Sequence, residues 1–190
     1  MEKIEDIPEL ECRLLYSVIV AGKNAAFANC VMRRWLAGHT LYQKGETAFE
    51  AIRRLDSTGA LETSFRDVRS GNYGKVTSAA RGMANAGLDL LHCTPQDLEK
   101  IKGIGPKTSR FFIIWTRPEA RYAALDVHIL RWLRKQGYNA PKSTPQSSKR
   151  YAELEQAFLD EAEKRKKLPR ELDMEIWDAA ASAANRIDNP

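Results

Sequence analysis

The sequence predicts an all-α fold, and three observations carry that expectation. Apolar residues recur at three- and four-residue spacing along most of the chain. Single glycines and polar caps divide those runs into helix-sized pieces. The short β-like run Phe111 to Trp115 lies inside a helical pattern, so no sheet is expected.

Pro8 to Ala21 places Leu10, Leu14, Leu15, Val18 and Ile19 on one helical face, and Gly22 ends it. Asn24 can cap a second helix through Phe27, Val31, Met32, Trp35 and Leu36, closed by Gly38. Thr47 to Leu55 forms a third, stopped near Gly59, and Asn72 to Ala86 a fourth, stopped by Gly87. Thr94 to Lys102 and Pro106 to Trp115 follow, separated by Gly103-Ile104-Gly105. Asp126 to Lys135 ends at Gly137, and residues 138–147, rich in Pro, Ser, Thr and Asn, read as a loop. Ser148 to Lys166 and Asp173 to Ala184 complete the set. The basic run Lys164-Arg165-Lys166-Lys167 reads as the solvated end of a helix, where cations are favoured.

With 190 residues, the chain can form one sizeable domain or two small helical lobes, and 43% hydrophobic content excludes a disordered chain. A net charge of +5 favours a polyanionic partner, though only modestly. The three cysteines, Cys12, Cys30 and Cys93, are too few and too widely spaced for a disulfide framework or a metal knuckle. All three fall in helical stretches, which suggests small buried residues in a reducing compartment. The charged start Met-Glu-Lys-Ile-Glu-Asp predicts no secretory leader, and no apolar run is long enough to span a membrane.

The strongest local signal runs from Leu98 to Thr108. Thr94 caps the first helix and Pro95 occupies its first position, where a missing N–H costs nothing. Leu98 and Ile101 point inward. Gly103 and Gly105 free the backbone between two helices and leave its amides bare. Pro106 then opens a helix whose positive end and unpaired N–H groups can cradle a phosphate. Such a hairpin would grip DNA through Gly103, Ile104, Gly105 and Thr108 without reading sequence. A plain αα-turn containing glycine is the bland alternative. Lys107 stands at the mouth of the second helix, and Asp126 opens the next one 126 − 107 = 19 positions later. Alone, Lys107 reads as a phosphate contact and Asp126 as a helix cap.

Taken together, Ile101, Gly103, Ile104, Gly105, Lys107, Asp126 and His128 resemble the signature of the helix–hairpin–helix DNA glycosylase superfamily. Lys102 departs from it, since the family usually has proline there. The resemblance implies two helical lobes with a cleft between them. The central lobe would span residues 24–120, and residues 1–23 would join 121–190 in the second. It also implies a bifunctional enzyme on double-stranded DNA that excises a flipped damaged base. Lys107 would be the Schiff-base nucleophile for excision and β-elimination, and Asp126 would stabilise charge at the sugar. His128 would bond near Asp126 or to a phosphate.

The family hairpin often holds a monovalent cation on backbone carbonyls, here those of Glu99, Ile101 and Ile104; no other cofactor is implied. The chain lacks the C-terminal cysteines that carry an iron–sulfur cluster in many endonuclease III relatives. The resemblance therefore leans toward the compact prokaryotic 8-oxoguanine branch. The stretch Leu172-Asp173-Met174-Glu175-Ile176-Trp177 agrees, placing Trp177 in the base pocket, with core packing as its alternative. Lys23 or Asn24 would fill the gap left by the flipped base, unless Asn24 merely caps a helix. Oxidised pyrimidines, mismatched bases and a non-catalytic DNA-binding module are the competing functions. A monomer inside the cell, in cytoplasm, nucleoid or nucleus, completes the expectation.

Overall fold

A computed structural model describes residues 2–39 and 45–187, with side chains as far as 180. Among the described residues there are ten helices and no strand. The chain groups into two compact units, residues 4–112 and residues 113–190 with 1–3. No helix among the described residues is long and apolar enough to cross a membrane.

The unit of residues 4–112 begins with α1 (Ile7–Ile19), whose N-cap Asp6 accepts from Glu9 N at 3.0 Å. It buries Leu10, Leu14, Leu15, Val18 and Ile19, as the periodicity requires. α1 packs on α2 (Ala25–His39), α3 (Ala48–Ser57) and α5 (Tyr73–Asn85). Its grouping with residues 4–112 differs from the expectation that residues 1–23 join the second lobe. The reason is physical: its apolar face is buried against these helices, and its buried Glu11 accepts from Phe49 N at 2.8 Å in the first turn of α3. A carboxylate is well placed at a helix N-terminus.

A capping box of Thr47 and Glu50 starts α3. The segment Leu61–Asp67 forms a further short helix, α4, beyond those that periodicity predicts. Trp35 lies fully buried, donating Nε1–H to Ser64 Oγ at 3.0 Å and stacking on Phe65 at 5.4 Å between centroids. Those contacts, and not helical periodicity, hold α4 in place. α6 (Pro95–Glu99) and α7 (Pro106–Thr116) form the hairpin, and α7 supplies residues to both units.

The second unit is built on α8 (Val127–Lys135), α9 (Ser148–Lys164) and α10 (Pro169–Ile187). Leu125, Ile129, Leu130, Leu133, Tyr151, Leu154, Phe158, Leu172 and Ile176 form its core. Arg170 donates to the carbonyls of Ile114 and Trp115 at 3.3 and 2.7 Å, which satisfies acceptors at the end of α7. α10 begins four residues before the predicted start, because Pro169 suits a helix's first position and Glu171 accepts from Leu168 N at 2.9 Å.

The cysteines depart in part from expectation. Cys12 and Cys93 are buried and Cys30 is exposed, and none of the three is in a disulfide. Cys30 stands off the buried register of α2, and Cys93 precedes the Thr94 cap instead of lying in a helix.

Candidate nucleic-acid interface

The hairpin is assembled from local rules. Thr94 Oγ1 accepts from Asp97 N at 3.2 Å, and Asp97 Oδ2 accepts from Thr94 N at 3.0 Å, closing a capping box with Pro95 at the first helical position. Bonds to Lys100, Thr94 Oγ1 and Thr94 N hold the Asp97 carboxyl well below the usual carboxylate range. α6 ends at Glu99, earlier than predicted, and a bonded turn follows. Ile101 N donates to Leu98 O and Ile104 N to Ile101 O, each at 3.0 Å.

Leu98, Ile101 and Ile104 are buried. Gly82 of α5 makes room for Ile101, since a Cβ there would lie 2.6 Å from Ile101 Cγ2. Gly103 adopts φ +101°, and a Cβ on it would meet Ala79 Cβ at 3.1 Å and Lys75 O at 3.2 Å. The turn therefore lies against α5 at van der Waals distance. Gly105 is different: a Cβ there would meet nothing within 4 Å. The backbone between α6 and α7 is thus tight on one side and open at Gly105, which suits a backbone grip on a phosphate.

Lys107 occupies the first turn of α7, half-buried, with Nζ 4.8 Å from the centroid of the Phe111 ring. Thr108 is buried, so its side chain is not available at the surface as a contact. Sequence reasoning missed the clamp that sets the angle between the two helices. Glu99 Oε1 accepts from Ser109 Oγ at 2.9 Å and from Arg110 Nη1 at 2.5 Å. Arg110 is only 8% exposed, and its guanidinium also donates to Pro106 O at 3.3 Å. The available signal was an arginine directly before the apolar run Phe111 to Trp115, one turn from Pro106, where burial of its side chain demands a partner.

Of the carbonyls expected to hold a monovalent cation, that of Ile101 already accepts the turn-closing Ile104 N–H. A carbonyl oxygen has a second lone pair, so this bond leaves Ile101 O able to meet a cation as well.

Asp126 is the N-cap of α8. Its Oδ1 accepts from His128 N at 2.8 Å and from Ile129 N at 2.9 Å, and the residue is 9% exposed. The preceding segment is fixed from α9 and the 138–147 loop. Tyr151 Oη donates to Ala123 O at 2.8 Å and accepts from Leu125 N at 3.1 Å. Glu155 accepts from Ala123 N at 2.9 Å, and Thr144 donates to Leu125 O at 2.8 Å. Both capping bonds fall on one carboxylate oxygen, so Asp126→Asn should keep the cap and melt close to wild type. Asp126→Ala should lose about 1–2 kcal/mol of stability. Thermal denaturation checks both, and equal melting of the two variants would deny the cap.

His128 meets Trp177, with ring centroids 4.5 Å apart and planes inclined by 51°. Among the described residues His128 Nδ1 is buried without a hydrogen-bond partner, while Trp177 is 39% exposed. Trp177 is therefore not a core residue; it presents an aromatic face beside the first turn of α8. Lys23 is tied down: its Nζ donates to Ile19 O at 3.2 Å and to Ser70 O. Burial, and then the charge of Lys75, lower its pKa. Asn24 Oδ1 accepts from Phe27 N at 2.7 Å, so this exposed side chain caps α2. Glu99, Lys107 and the glycines thus gather in the unit of residues 4–112, and Asp126, His128 and Trp177 in the unit of residues 113–190. No family model and no solved structure matches the chain.

Proposed function

We propose that the chain is a bifunctional DNA glycosylase and abasic-site lyase acting on double-stranded DNA with a damaged base, 8-oxoguanine being its first candidate. The observation that carries the reading is Lys107 in the first turn of a helix opened by a clamped hairpin whose Gly105 faces open space. A helix entrance of this kind suits a phosphate, and a lysine there would stand close to the sugar on the same strand. Asp126, held by its cap with a second carboxylate oxygen outside it, supplies a fixed negative charge.

In this mechanism the base leaves the stack. The neutral Lys107 amine attacks C1′, the bond from C1′ to the base breaks, and the base departs with a proton. The sugar ring opens to leave a protonated imine between C1′ and Nζ. Loss of a proton from C2′ then expels the 3′ phosphate by β-elimination, and water releases the lysine. The Asp126 carboxylate offsets the positive charge that develops at the sugar and takes part in proton transfer. Trp177 and His128 offer a stacking surface for an extruded base. The Glu99, Ile101 and Ile104 carbonyls would hold a monovalent cation that adds positive charge at the phosphate. The partner is duplex DNA met by a monomer, in a reducing intracellular setting that suits cysteines outside any disulfide.

Borohydride trapping on duplexes that each carry one defined lesion tests the proposal. A covalent adduct on abasic DNA, and release of 8-oxoguanine faster than guanine, are expected. Duplex binding without any adduct would reduce the protein to a non-catalytic hairpin module. Preferential cutting at an oxidised pyrimidine or a mismatch would reassign the lesion.

A further inference from the structure

The hairpin has a basic neighbour that the glycosylase reading does not use. Lys75, exposed in the first turn of α5, lies across the hairpin turn. A Cβ on Gly103 would sit 3.2 Å from Lys75 O and 3.6 Å from Lys75 Cγ. Behind it the loop from α4 to α5 meets Lys23. Ser70 O accepts from Lys23 Nζ, and a Cβ on Gly71 would lie 3.6 Å from Lys23 Cε. Lys23, 75 − 23 = 52 positions earlier in the chain, thus holds the loop that leads into the helix turn carrying Lys75. The charge of Lys75, of the same sign, bears on Lys23 beside the effect of its burial. Bringing like charges together costs free energy that a polyanion would offset.

We propose that Lys75, backed by Lys23, is a second phosphate-binding element that takes a DNA backbone phosphate adjacent to the one in the hairpin turn. It rests on the DNA-binding part of the proposed function and not on its chemistry. Lys75 makes the contact. Lys23 holds its ammonium on two carbonyls, adding charge from behind and tying the loop in place.

The test compares wild type, Lys75→Gln and Lys75→Arg on an undamaged duplex over a salt series. Losing one phosphate contact should weaken binding of Lys75→Gln about 8-fold at ~0.1 M salt and reduce the slope of log affinity against log salt by about 1, whatever the duplex sequence. Lys75→Arg should keep both. Lys75 is exposed, so both variants should fold, which a melting curve verifies. Lys75→Gln binding with wild-type affinity and slope would overturn the element, while trapping through Lys107 would still stand. Wild type that binds duplex with the lysine-dependent slope but traps nothing would remove the glycosylase chemistry and leave the element in place. Wild type that binds no duplex would remove both.

Discussion

Lys107→Gln is expected to abolish borohydride trapping and to lower strand cleavage on the order of 10³-fold or more, as removal of a covalent nucleophile does. An amide nitrogen has no available lone pair and cannot form the imine. The fold should survive the change. Loss of the ammonium above Phe111 removes about 0.5–1 kcal/mol of cation–π attraction. Removal of a cation from a helix N-terminus returns about 0.3–1 kcal/mol. The two effects oppose each other, and a melting curve of the variant separates lost chemistry from lost folding. Unchanged trapping by the variant would make another amine the nucleophile. Asp126→Asn in the same assay separates charge from capping, because asparagine caps nearly as well. It should fold normally and cleave poorly.

Gly103→Ala is expected to be the most destabilising single change in the hairpin. A φ of +101° is strained for any side chain, at about 1–3 kcal/mol. The added methyl would press on Ala79 Cβ at 3.1 Å and Lys75 O at 3.2 Å, and such overpacking costs about 1–3 kcal/mol. A combined loss of about 3–4 kcal/mol is a large part of the ~5–15 kcal/mol that folded domains possess. It should lower the melting temperature by roughly 10 °C for a chain of this length. Gly105→Ala is the control. Its Cβ meets nothing, so stability should hold while the methyl obstructs the phosphate and weakens DNA binding. Calorimetry on both variants with a duplex-binding assay decides the matter. Gly103→Ala melting within a degree of wild type would mean that the turn does not lie against α5.

Thr94, Pro95 and Gly103 act through their own backbone and the next few residues, so caps, helix starts and the hairpin turn could be read from the chain. The same holds for Asp126 as a cap and for the register of α1. The short helix α4 could not be read this way. Leu61 and Phe65 make too brief a pattern, and the helix is stabilised by Trp35 from far away in sequence. The Glu99 clamp lay halfway: an arginine bordering the apolar run Phe111 to Trp115 called for an acid but did not say which. The pairing of His128 with Trp177, and the bond that Lys23 makes to Ser70, had no sequence signal, because each depends on how segments distant in the chain pack.

The sequence by itself determined an all-helical chain, the ends of most helices and a glycine turn before Lys107, because hydrogen bonding and backbone sterics act over a few residues. Tertiary structure alone decided that α1 packs with α2, α3 and α5, that Lys75 lies against the turn, and that Trp177 faces outward beside His128. Those outcomes follow from burial of apolar faces and pairing of buried charges between segments tens of positions apart, and no local pattern encodes which face meets which.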